Sequence, residues 1–271
     1  MASLFEKIKM SNEKALKTGF GTGLVQVSSL LWLRTLTNYQ YKHGISMKNA
    51  FKNLYKDGGI FRFYRGYIPA IVTASICKMG DLNGYYLVND SNINLNLNNF
   101  EKNLVIASIS NTTRFIVMPI DTLDMFLQVE GSNGMKMLKN KIKTDGIQTL
   151  YHGCSMWLTT NFIGSFVWFG TYQTLEPIFT KKNNFNNAII GFGSSMMSDI
   201  VTNPLRSLKV YKQSNHISIN YLDSFKEMVH DKGIINMMSR GLFTRVMTHG
   251  IQSAMFVVVW KNIEDYFSKN K

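Results

Sequence analysis

The sequence predicts an all-α membrane protein built from three copies of a two-helix unit, six long helices in all, with a short amphipathic helix inside each copy. Three observations carry that prediction: an internal period, apolar runs of membrane-crossing length, and a polar stripe at helical spacing. The period comes first. "GGIFRFYRG" ends at Gly66, "DGIQTLYHG" at Gly153 and "KGIINMMSRG" at Gly241, spacings of 87 and 88 residues. Upstream, "LWLRTLTNYQ" ends at Gln40, "PIDTLDMFLQ" at Gln128 and "PLRSLKVYKQ" at Gln213, spacings of 88 and 85. Two independent landmarks sharing one period mark a repeated supersecondary unit. Three such units, residues 1–95, 96–182 and 183–271, fill the chain.

In the first unit, Thr18 to Gln40 and Gly66 to Val88 read as helices. In the second the corresponding runs are Phe100 to Leu127 and Gly153 to Glu176, and in the third Ala188 to Val210 and Gly241 to Tyr266. Each is long enough for a bilayer, which takes ~20 residues. None is uniformly apolar, and the mean hydropathy of -0.06 is low for a simple membrane bundle. The deficit is ordered. In the first helix of each unit the residues Gln26, Leu33, Gln40, then Arg114, Asp121, Gln128, then Asp199, Arg206, Gln213 recur at seven-residue spacing. Seven residues make two helical turns, so each triplet lies on one face. Charge inside a membrane helix is tolerated where it faces a watery interior or a partner. A soluble helical repeat with the stripe turned to solvent has the same periodicity.

The composition narrows the function. A net charge of +13 suits nucleic acid or an anionic membrane surface. The lysines fall in connecting segments such as Met135 to Lys143, flanking apolar runs, and form no single basic block. That spread fits loops near acidic lipid better than a groove that tracks phosphates. The two cysteines, Cys77 and Cys154, have neither disulfide-framework nor zinc-site spacing. No nucleophile elbow, P-loop or metal motif is visible, so the chain reads as not an enzyme, with no cofactor and no metal. Glu6 and Glu13 interrupt what would be a presequence, and any targeting is expected to be internal.

These residues resemble the mitochondrial carrier family. Its repeat carries Pro-x-[Asp/Glu]-x-x-[Lys/Arg], a downstream Gln, and then an aromatic-basic-Gly step. Pro119, Asp121 and Gln128 match in the second unit, Pro204, Lys209 and Gln213 in the third, and Gln40 in the first. Tyr64, Arg65 and Gly66, then Tyr151 and Gly153, then Arg240 and Gly241 match the second landmark. The resemblance implies six transmembrane helices, short matrix helices, pseudo-threefold symmetry, residence in the mitochondrial inner membrane as a monomer, and solute transport by alternating access. It implies cardiolipin at the helix starts behind Arg65, Gly66, His152, Gly153, Arg240 and Gly241, where free amides and the positive dipole end can take a phosphate.

The departures from the family pattern are informative. Family members close the matrix side with ion pairs between the acids and bases of their three motifs. Here Asp124 stands where a base is expected and Arg206 where an acid is expected, so the expectation is a sign-inverted Asp124–Arg206 bridge. Independent drift at a decayed gate is the alternative. Leu33 and Leu36 replace the first unit's acid and base, leaving Asp121 and Lys209 without family partners; Arg34 lies one residue round the helix, pointing elsewhere. At the opposite gate the family positions fall on Tyr85, Tyr86 and Asn89, on Tyr172, Gln173 and Glu176, and on Trp260, Lys261 and Glu264; this gate reads as degenerate, or as solvated helix ends.

The family's substrate positions, seven or eight residues past each landmark Gly, correspond to Thr73, to Thr160 and Asn161, and to Thr248 and His249. Lys78, Asp81, Arg114, Asp199 and Arg245 lie nearby and would face the same cavity. Its bases favour an anionic metabolite such as a nucleotide or carboxylate, whereas Asp81 and Asp199 admit a zwitterionic amino acid. Arg114 and Asp199 pairing with each other is the bland alternative. The lost gate charges motivate a second function, a carrier-like scaffold that no longer transports. The charge motivates a third, a soluble helical nucleic-acid binder.

Overall fold

Helix starts and stops follow local chemistry. The computed structural model describes the backbone of residues 2–89, 98–179, 183–214 and 220–269, and the side chains of 16–88, 98, 101–179, 183–214, 220–259 and 261–262. Regular structure there is helical: α1 (Ala2–His43), α2 (Met47–Gly58), α3 (Tyr67–Asn89), α4 (Asn99–Glu130), α5 (Gly134–Asp145), α6 (Cys154–Leu175), α7 (Asn184–Ser214), α8 (Tyr221–Ser239) and α9 (Leu242–Lys269). Asn98 and Glu101 form a reciprocal capping box at the start of α4, satisfying two otherwise unpaired amides. Gly59 and Gly146, both at positive φ, end α2 and α5, and Gly233 at φ 78 interrupts α8 at the corresponding place. Each then leads into a short turn and the next long helix.

Of the long helices, α1 starts sixteen residues before its sequence-based bound, α4 and α7 run up to four residues past theirs, and α6 lies just inside its own. Pro119 and Pro204 lie inside α4 and α7, and α4 continues to Glu130. Neither proline ends its helix, although each removes one amide from the ladder.

Six long helices pack as a closed ring in the order α1, α3, α4, α6, α7, α9 and back to α1. Small residues set the closest crossings. A Cβ on Gly23 would lie 2.7 Å from Ser75 Oγ between α1 and α3, and one on Gly191 2.8 Å from the Ser253 carbonyl between α7 and α9. Backbones brought this close gain dispersion contact that larger side chains would prevent. The helices α1, α4 and α7 also touch one another inside the ring.

Their C-terminal ends are finished by bases from a different sequence unit, the preceding one for α4 and α7 and the last one for α1. Buried Arg62 donates to the Gln128 and Val129 carbonyls at 2.9 and 2.8 Å and is itself held by Asp57 at 2.5 Å. Lys141 reaches the Gln213 carbonyl at 3.4 Å. Lys232 reaches the His43 and Gly44 carbonyls at 3.1 and 2.9 Å, and Arg240 the Tyr41 carbonyl at 3.3 Å. Cations are favoured there because the last carbonyls of a helix lack intrahelical donors and carry the negative end of its dipole.

Among the described residues, one stretch, Tyr221–Val259, is long and apolar enough to cross a membrane by length and composition. The other long helices fall short because their inward stripes are polar.

Candidate functional site

The ring encloses a cavity in two adjoining lobes of about 230 and 100 Å³. Lys78, Asp81, Arg114, Asn161, Arg206 and His249 line both lobes. Tyr85, Trp168, Phe169 and Phe256 wall the smaller one; Thr73, Thr160, Arg245 and Thr248 are among the residues lining the larger.

Most of the charge is committed. Arg114 on α4 pairs with Asp81 on α3 at 2.7 Å. Asp199, fully buried behind the lining, is held by Arg245 Nε at 3.1 Å and His249 Nδ1 at 2.9 Å, two α9 residues one turn apart. Arg114 and Asp199 therefore do not pair with each other, because each has a carboxylate or base on its directly packed neighbour. Thr160 and Thr248 donate to their own helix carbonyls, Met156 at 2.5 Å and Thr244 at 2.7 Å, and Asn161 to Trp157 at 2.8 Å. The buried Thr73 hydroxyl has no hydrogen-bond partner among the described residues.

Below the larger lobe the inner helices are cross-linked. Arg34 Nη2 lies 2.6 Å from Asp124 Oδ2 and 3.5 Å from Asp121 Oδ1, and Lys209 lies 2.8 Å from Asp121 Oδ2. One chain of charge thus joins α1, α4 and α7. The expected Asp124–Arg206 bridge is absent: Arg206 Nε donates to Thr202 at 3.2 Å, and its side chain lines the cavity. One further expectation is corrected: Arg34 points into the gate because its long side chain spans the offset of one residue. Asp121 and Lys209, without their family partners, pair with each other.

The glutamine layer follows. Gln128 donates to Asp124 and accepts from Asn38, both at 2.6 Å; Gln213 donates to Thr122 at 2.8 Å; Gln40 accepts from Thr244 at 2.6 Å. Beyond it Lys42 forms an ion pair with Glu130 and donates to the Ser214 carbonyl at 3.0 Å, again joining α1, α4 and α7. Lys42, Glu130, Asn38 and Arg62 escaped the sequence reading. A signal was present: Lys42 and Glu130 are opposite charges two residues past the landmarks Gln40 and Gln128.

At the far end, Lys261 pairs with Glu176 at 3.1 Å between α9 and α6, and Tyr172 donates to Glu176 at 2.9 Å. Trp168 Nε1 donates to Ser253 at 2.9 Å above a cluster containing Leu82, Tyr86, Tyr172 and Phe256. Among the described residues, one ion pair between α6 and α9 thus stands at this end, with acid and base exchanged relative to the family pattern. The side chains of Asn89, Trp260 and Glu264 lie outside the described residues.

A closed ring of six helices around a charged cavity, tied at the inner helices, is the geometry the two landmarks anticipate. The sequence model of the mitochondrial carrier protein family matches residues 97–183 and again 180–271. The chain belongs to the mitochondrial carrier family. Its members are transporters of small-molecule solutes rather than enzymes. A mitochondrial carrier-like protein of Acanthamoeba polyphaga mimivirus is 29% identical over 174 residues, 64% of this chain and 67% of that one. A peroxisomal membrane protein of Mus musculus is 25% identical over 46% of each chain, so the match spans about half of that relative. The mitochondrial 2-oxodicarboxylate carrier of Mus musculus is 22% identical over 93% of this chain and 94% of that one.

The landmark glycines of this carrier acquire a physical reason. Gly66 sits at φ 88, and a Cβ there would lie 2.6 Å from Asp124 Oδ1, so the glycine lets α3 start directly against the gate acid. Gly153 and Gly241 are also at positive φ, the first at ordinary contact distance from Lys209 and the second more tightly against the Tyr41 ring of the next inner helix. The bases beside them are partly turned into the protein. Arg240 is turned inward onto α1 and nearly buried. The Arg65 Nη1 is buried beside Gly131 without a hydrogen-bond partner among the described residues. Burial, with Lys141 and Lys212 nearby, holds the His152 pKa below its ordinary value, so this ring is neutral at neutral pH.

Proposed function

We propose that this chain is a transmembrane solute carrier of the mitochondrial inner membrane that moves or exchanges a small anionic metabolite, nucleotide- or carboxylate-like, by alternating access. The observation that carries the reading is the enclosed charged cavity between two cross-linked ends. Six bases, Arg34, Lys78, Arg114, Arg206, Lys209 and Arg245, stand against four acids there. The surplus favours an anion. Alternating access then means breaking the Arg34–Asp124, Asp121–Lys209 and Lys42–Glu130 ties at one end while the Lys261–Glu176 end closes, and the reverse.

Membrane insertion as six spans in three units, 1–95, 96–182 and 183–271, is part of the reading. Exposed apolar side chains on the outer faces support it: Phe20 and Val25 on α1, Phe115 and Ile116 on α4, Ile200 and Val201 on α7. Thr73, Asn161, Thr248 and His249 would hydrogen-bond the solute, with Gln40, Gln128 and Gln213 bracing the gate below. A monomer with cardiolipin at the α3, α6 and α9 starts completes the proposal. Uptake of labelled nucleotides, di- and monocarboxylates and amino acids into proteoliposomes tests it; a wild-type protein that moves none of them defeats it. That outcome would favour the transport-inactive scaffold, a reading motivated by the leucines at the first unit's gate positions. Because one relative is peroxisomal, organelle fractionation decides the membrane.

A further inference from the structure

We infer that Lys78 and Arg206 form a two-cation clamp for a solute bearing at least two negative charges, an inference that rests on the transporter reading above. Every other base lining the cavity has a carboxylate within ion-pair distance: Arg34 and Lys209 on Asp121, Arg114 on Asp81, Arg245 on Asp199. Lys78 and Arg206 have none among the described residues. The Lys78 ammonium rests 4.3 Å above the Phe256 ring, and Arg206 spends only Nε, on a hydroxyl. Both side chains line both lobes. They come from α3 and α7, which stand opposite each other in the ring.

A cation in a protein-walled cavity with no carboxylate at ion-pair distance is costly, and here that cost falls on two residues, Asp81 acting on Lys78 and Asp199 on Arg206 only at longer range. An aromatic face compensates an ammonium only in part. A dianion relieves both costs at once, with a bidentate contact available at the free end of the guanidinium. A monoanion leaves one cation uncompensated, and a zwitterion brings its own ammonium into a cavity whose acids are already paired. The clamp also reaches the gate. Arg206 lies on α7 one turn before Lys209, so a solute drawing Arg206 toward α3 acts on the helix that carries the Asp121–Lys209 tie.

The test combines thermal-shift titration and proteoliposome uptake on the full chain. Probes are a nucleoside monophosphate and a dicarboxylate as the two sources of dianion, against a monocarboxylate and a neutral amino acid. Variants are Lys78→Gln, Arg206→Gln and Arg206→Lys, with Arg114→Gln for comparison. We expect at least one dianion to stabilise and enter with wild type, at least tenfold weaker binding of it in each Gln variant, and partial rescue by Arg206→Lys. The solute-free melting temperature should hold or rise in Lys78→Gln and Arg206→Gln, which lose an uncompensated cation, and fall in Arg114→Gln, which strands Asp81. Unchanged dianion binding in both Gln variants, a fall in their solute-free melting temperature matching that of Arg114→Gln, or wild-type preference for the monoanion or amino acid overturns the clamp and leaves the transporter reading standing. A wild type that moves no probe overturns the transporter reading itself.

Discussion

Arg34 Nη2 lies 2.6 Å from Asp124 Oδ2, so the first long helix reaches the gate from a position one residue away from the one the family uses. Asp124 is fully buried and has no other base at ion-pair distance among the described residues. Arg34→Gln should therefore strand a buried carboxylate and cost roughly 3–5 kcal/mol. Thermal unfolding of Arg34→Gln, Asp124→Asn and the double variant checks this. The double should recover much of the loss, whereas additive single effects would show that the two residues do not interact.

Lys42 and Glu130 make a second tie beyond the glutamines, and reversing one charge should open that end. Lys42→Glu places two acids together and should raise the labelling of a cysteine introduced into the larger lobe. Combining it with Glu130→Lys should return labelling to the wild-type rate. A double variant as open as the single would mean that the Ser214 carbonyl, and not Glu130, is the contact that matters.

Gly66→Ala and Gly21→Ala form a matched pair. The first puts a Cβ 2.6 Å from Asp124 Oδ1 at φ 88, and should destabilise by about 1–3 kcal/mol. The second adds a methyl in open space on a helix, and should be neutral or gain up to ~1 kcal/mol. Melting temperatures in one detergent compare them directly.

His152 sets a pH dependence. Its folded-state pKa lies below the ordinary value of 6.5 through burial and the cations Lys141 and Lys212, with Asp145 opposing them weakly. As pH falls through the ordinary histidine range, the unfolded chain takes up a proton that the folded protein resists, so stability declines toward acid. His152→Gln should flatten that part of the stability profile between pH 7 and 5. An unchanged profile would remove His152 from the account.

Two landmarks at a common period point to a repeated unit, and the ring of long helices follows from apolar runs with one polar face. The gate was legible only in outline. Asp121, Asp124 and Lys209 can be placed by motif, but their partners depend on side-chain reach across a helix contact. A one-letter alignment that finds Leu33 and Leu36 at the first unit's positions discards Arg34, whose four-bond side chain crosses the offset. The substrate positions were placed on the cavity wall by counting, with Asp199 set behind it. Counting could not tell that Thr160 and Thr248 bond their own helices, nor that Asp81 rather than Asp199 neutralises Arg114. Arg206 was misassigned for a related reason: sequence position put it at the gate, while its helix turns the side chain up into open space.

The bases that finish the inner helices have a consequence for assembly. Arg62 completes the end of α4 and Lys141 that of α7, each made earlier in synthesis than the helix it completes. The end of α1 waits for Lys232 and Arg240, near the other end of the chain. Of these six long helices, the first to leave the ribosome is thus among the last to be finished, and until α8 arrives its terminal carbonyls must be satisfied by water or by another protein. A chain cut short before the third unit would carry an open first helix, and quality control could recognise it by that end.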